Sequence, residues 1–205
     1  MYLQYALNCD YVPAAQAPQF EQYLMSVLPE STVRERVQEF VGSLLLSSNF
    51  GVHQLWLGRG AGPLGKIMRT FSGDAAMSTT DTLDQFRLSA LLVEVEGYQY
   101  SKNTAAILKA VRDALVNKSA GLNSRFSTPS ALAVAGKLIV LSEQTPSISD
   151  PSESYWRRWD MVAFLESQDV SETVIETELS GVLNWALDGL ERLLEREVSG
   201  IAPLP

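Results

Sequence analysis

Gly60 to Lys66 reads GAGPLGK, a run in which Gly60, Gly62, Gly65 and Lys66 are the residue types that can hold a phosphate. Glycines let backbone N–H groups curl around phosphate oxygens. A lysine reaches the outer phosphates, and the start of a following helix favours negative charge. The pattern G-x-x-x-x-G-K ordinarily continues with Ser or Thr, whose hydroxyl ligates magnesium, and here Ile67 stands in that place. Truncated in this way, it arises by chance in on the order of one chain in twenty of this size. A flexible glycine turn between a strand and a helix is therefore the simpler account of the segment taken alone.

Other reactive residue types are sparse. His53 is the single histidine and Cys9 the single cysteine, so an internal disulfide, a zinc site and a histidine-based triad have no residues to build them. No nucleophile, base and orienting acid can be assembled. Glu94 and Glu96 lie two apart on an expected strand and share one face, where a solvated sheet edge is as good a reading as a metal site. His53, on a mostly apolar strand, reads as a packed or surface residue. Trp56, Trp156, Trp159 and Trp185 are not interleaved with basic residues, and they read as core or interface aromatics, not a base-stacking platform.

The elements that would position the glycine segment follow from periodicity. Phe20 to Leu28 and Ser31 to Leu46 repeat apolar residues at helical spacing, with Pro29 between them, after an irregular arm ending near Pro18. Val52 to Leu57 reads as a short strand running into the glycines, and Lys66 to Phe71 as the start of a helix. Leu91 to Glu96 is a second strand, Ala105 to Val116 an amphipathic helix, KLIVLS at Lys137 to Ser142 a buried third strand and Asp160 to Phe164 a fourth. Glu172 to Glu195 is a long helix with Val182, Leu183, Leu187, Leu190 and Leu194 on one stripe. Ser124 to Pro129 and Thr145 to Ser154 read as loops. Strands alternating with helices predict an α/β fold: a mainly parallel sheet flanked by helices, behind an N-terminal helical lead-in. Residues 1–50 form the arm and lead-in and 51–205 the sheet domain, together one compact unit.

Bulk properties narrow the function classes. The 205 residues are 46% hydrophobic, enough for one sizeable core. No apolar run has the length of a membrane helix and no secretory leader is present, so a soluble, cytoplasmic protein is expected. A formal charge of -8 opposes a broad phosphate-binding surface. Any DNA contact would be local or shared among subunits.

Several stretches, in order along the chain, resemble the superfamily-three helicase domain of phage and plasmid primases and their poxvirus relatives, a P-loop ATPase fold. These are the lead-in PQFEQYLMSVLPESTVRERVQEFVGSLL, the glycine segment, DQFRLSALL at Asp84 to Leu92 and KLIVLSEQTPSISD. They are followed by a W-R-R motif at Trp156, Arg157 and Arg158, and by GVLNWALDGLERLLER at Gly181 to Arg196. The last two are the most specific.

The departures fall on nucleotide-contacting positions. Leu64 replaces an asparagine, Ile67 a Ser or Thr, and Glu143 stands where the family often places an asparagine to sense the terminal phosphate. A carboxylate there would repel that phosphate. In VEVEGYQY, Glu96 fills one acidic position while Tyr98 stands near the other. The resemblance implies a replication-helicase module that binds ATP and magnesium weakly, with impaired hydrolysis, in a homo-oligomer or ring with related helicase subunits. Arg157 or Arg158 would act as a finger toward a neighbour's nucleotide. The alternative is an inactive pseudo-ATPase that serves as an interaction or assembly protein. The family's primase domain and DNA-binding extension have no counterpart in the sequence.

Overall fold

The computed structural model describes residues 7–46, 53–72, 90–94, 137–143, 159–166 and 172–198. Two helices lead, α1 (Pro18–Val27) and α2 (Ser31–Ser43). Strand β1 (His53–Leu57) and helix α3 (Ala61–Ser72) follow, then strands β2 (Ala90–Glu94), β3 (Lys137–Ser142) and β4 (Trp159–Ala163). A long helix α4 (Glu172–Val198) comes last. The strands form one sheet in the order β2-β3-β1-β4, every neighbouring pair parallel. The fold is thus α/β, with a parallel sheet, flanking helices and N-terminal helices in place. The expected helix Ala105 to Val116 and the loops Ser124 to Pro129 and Thr145 to Ser154 lie outside the described residues.

Central parallel strands are buried on both faces, and the composition of β1 and β3 reflects this. Trp56, Ile139 and Leu141 belong to the main core, while Leu55 and Val140 point the other way and are also buried. Among the described side chains of these two strands, the buried polar one is Gln54, 1% exposed. Its side chain accepts from the Trp56 indole N–H at 2.7 Å and donates to Asp160 at 2.7 Å; Asp160 also pairs with Arg36 of α2 at 3.1 Å. Burial raises the Asp160 pKa, while Arg36 and Gln54 pull it back down. Gln54→Leu keeps the volume but leaves the indole N–H without its acceptor. We expect a loss of about 1–3 kcal/mol in chemical denaturation, whereas an unchanged midpoint would mean the indole finds another acceptor.

The lead-in helices are built into the core, since Phe20, Leu24, Val27, Val37 and Val41 share one cluster with Trp56 and Val182. Ala17 offers no side-chain cap to α1. The buried Glu178 of α4 supplies it instead, accepting the N–H groups of Gln19 at 3.2 Å and Phe20 at 3.0 Å. A carboxylate at a helix start satisfies orphan donors and complements the dipole. Asn184 pins the preceding arm by donating to Val12 and Ala15 carbonyls, both at 2.9 Å. Trp185 meets Phe20 edge-on, with ring centroids 5.0 Å apart.

Candidate functional site

In an open parallel sheet, ligands sit beyond the carboxyl ends of the strands. At that edge three strands deliver Gly58 to Gly60, Ser142 to Glu143, and Phe164 to Leu165. The Gly58 N–H donates to Ser142 O at 2.9 Å and the Phe164 N–H to Leu57 O at 2.7 Å. The Leu165 N–H then reaches Val27 O of α1 at 2.9 Å. Gly58 turns the chain with φ at 104°, a left-handed value that side chains disfavour. A Cβ on Gly60 would strike the carbonyl of Leu165 and come within 3.1 Å of Val27 Cγ1. The turn is therefore pressed directly against the segment that follows β4.

The sequence expectation of a connection from Gly60 to Lys66 needs correction. The connection is Gly58 to Gly60, and α3 begins at Ala61, so Gly62, Pro63, Leu64, Gly65 and Lys66 are helical. Proline is tolerated in a first helical turn, where no N–H is needed. Two of the amides at the helix start that could face a phosphate are already engaged. The Ala61 N–H bonds Gly58 O at 3.1 Å and the Gly62 N–H bonds Arg59 O at 3.2 Å. Pro63 has none to offer.

The Leu64 N–H donates at 3.1 Å to the Tyr23 hydroxyl, which in turn donates at 2.5 Å to Gly60 O. Tyr23 is 4% exposed, and burial raises its pKa strongly against the smaller opposing effect of the Leu64 hydrogen bond. The hydroxyl therefore keeps its proton and serves as both acceptor and donor. It stands between the two groups that would otherwise form the first i to i−4 bond of α3.

The remaining site residues are dispersed. Gly65 packs on Leu141, whose Cδ1 would lie 2.5 Å from an added Cβ. Lys66 is exposed on α3, while Leu64 and Ile67 are core residues at 0% and 1% exposure. A serine at position 67 would therefore bury its hydroxyl in the core, away from any metal at the turn. Glu143 does sit beside the glycine turn, paired with Arg59 at 3.5 Å, both side chains more than a third exposed. Such a pair contributes little to stability, though it sets opposite charges side by side where the sequence implied an isolated carboxylate. Glu96, Arg157 and Arg158 lie outside the described residues. Tyr23 and Arg59 were not anticipated; the only sequence signal for Tyr23 is that a buried phenol must find a partner.

No family model matches the chain, and no curated protein does. Among solved structures, the A-form apo structure of the NrS-1 C-terminal region is similar, with a TM-score of 0.62 at 9% identity. That match covers 89% of this chain and 49% of the other. A second apo structure of the same region gives 0.61 at 8% identity, covering 91% and 55%. The chain spans about half the length of the structures it matches. At such identity the likeness is one of fold, shared with the NrS-1 C-terminal region.

Proposed function

We propose that this chain is a pseudo-ATPase of the replication-helicase type, an assembly module that keeps the parallel-sheet architecture and works without turning over nucleotide. The observation that carries this reading is the Tyr23 hydroxyl seated between Leu64 N–H and Gly60 O, with the Ala61 and Gly62 amides already bonded. A phosphate entering this turn would have to displace an internal acceptor and unwind the first turn of α3. That cost falls on binding before any chemistry begins.

Calorimetric titration of the full chain with ATP, with and without magnesium, tests it. The expected result is no saturable binding tighter than about 1 mM. ATP binding in the micromolar range that is lost in Lys66→Ala would overturn it.

The second reading is a ring helicase that binds ATP and magnesium weakly and touches DNA locally. It draws support from the position of the turn, at the carboxyl edge of β1, which carries the exposed Arg59, with Lys66 exposed further along α3. In that case Tyr23→Phe, which frees the Leu64 N–H, would tighten ATP binding.

A further inference from the structure

We infer that α1 is a latch on the glycine turn: docked on α4 it holds the turn closed, and released from α4 it lets the turn open. This rests on the reading above that the groups of the turn are met from within the chain. Phe20, Tyr23, Leu24 and Val27 stand at i, i+3, i+4 and i+7 on one face of α1, and each is at most 4% exposed. The Tyr23 hydroxyl is the tip of a ring packed into that face. A ring held in a close-packed core leaves Gly60 O and the Leu64 N–H only when the helix carrying it moves.

Both ends of α1 are held by other elements. Its start has no side-chain cap from Ala17, and the Gln19 and Phe20 N–H groups donate to Glu178 of α4 at 3.2 and 3.0 Å. Beside them, Gly181 of α4 comes so close that an added Cβ would lie 2.7 Å from the Ala17 N. At the other end the Val27 carbonyl accepts the Leu165 N–H at 2.9 Å, and Val27 Cγ1 faces Gly60. The helix has 10 residues, too few to be stable in isolation, so tertiary attachments keep it formed. Loss of the Glu178 attachment therefore loosens the Tyr23 and Val27 contacts further along the same helix. A coupling of this kind is reciprocal.

Native-state hydrogen exchange of the full chain, without nucleotide, tests the latch. Glu178→Ala should speed exchange about tenfold at Leu64 and Leu165, as well as at Gln19 and Phe20, whose acceptor it removes. Tyr23→Phe should speed exchange about threefold at Gln19, Phe20 and Leu165, although it removes none of their acceptors. The Gly58 and Phe164 amides are the controls. They lie at the same edge but bond Ser142 O and Leu57 O, strand to strand, and should keep their protection.

An effect of Glu178→Ala confined to Gln19 and Phe20 would overturn the inference. So would equal acceleration at the controls, which would make the change one of overall stability. If Glu178→Ala does not fold, Tyr23→Phe decides: acceleration at Leu64 alone, or equally at the controls, removes the latch. ATP binding through Lys66 alongside coupled exchange would remove the pseudo-ATPase reading and leave the latch. Uncoupled exchange with no ATP binding would remove the latch alone.

Discussion

Gly42→Val is expected to destabilise the protein by about 3 kcal/mol or more, while Gly62→Ala leaves it unchanged or slightly more stable. The contrast comes from what each Cβ meets. At Gly42 the new carbon would lie 2.5 Å from the Leu190 backbone N and against the Ala186 carbonyl, and at Gly189 it would strike the Gln38 backbone. Backbone on a facing helix cannot rotate away as a side-chain tip can, so α2 and α4 would have to separate. Separation loosens Val37, Val41, Val182 and Ala186, all at 0–1% exposure. Overpacking costs about 1–3 kcal/mol, and lost burial adds to it. That sum outweighs the helix-propensity gain of a few tenths of a kcal/mol from replacing glycine with valine. At Gly62 nothing lies within 4 Å of the added carbon, and alanine gains up to about 1 kcal/mol in a helix. Urea denaturation followed by circular dichroism distinguishes the two. An unaffected Gly42→Val would mean the helices do not cross closely, and a strongly destabilised Gly62→Ala would restore the glycines to a loop.

Periodicity made most of the frame legible. KLIVLS was bounded correctly as Lys137–Ser142, and α1, α2, β1, β4 and α4 fall within a few residues of their expected spans. Local apolar spacing determines these elements, and spacing is what a sequence displays. The sequence places the start of α3 at Lys66, whereas the helix begins at Ala61, because glycines and a proline read as a loop although Pro63 in the first turn is compatible with a helix. The site was less legible. Tyr23 fits an apolar helical stripe, and nothing nearby indicates that its hydroxyl meets Gly60, 37 residues away. Glu39 and Glu178 look like members of solvated helix faces. Their partners are more than 150 residues distant, and pairing at that range leaves no periodic trace.

Removing both cations from the α2–α4 contact is expected to cost more than removing the anion they share. Glu39 has a side chain only 6% exposed and accepts from Arg192 Nε at 3.1 Å and Arg196 Nη1 at 2.8 Å. Arg192 also donates to Gln38 Oε1 at 2.6 Å, and Gln38 donates to Trp185 O at 2.7 Å. In Arg192→Met/Arg196→Met the carboxylate stays buried with its charge uncompensated, and breaking a buried pair this way costs about 3–5 kcal/mol. In Glu39→Gln the arginines, whose side chains are 33% and 21% exposed, can turn toward water. The loss there should be about 1–2 kcal/mol. Combining Glu39→Leu with both methionines replaces the triad by apolar contact, which at buried ion pairs is often neutral or stabilising. The triple variant should therefore be more stable than the double variant, a non-additivity that chemical denaturation reads directly. Equal losses in the double variant and in Glu39→Gln would place Glu39 in contact with solvent and remove the triad as the clamp between α2 and α4.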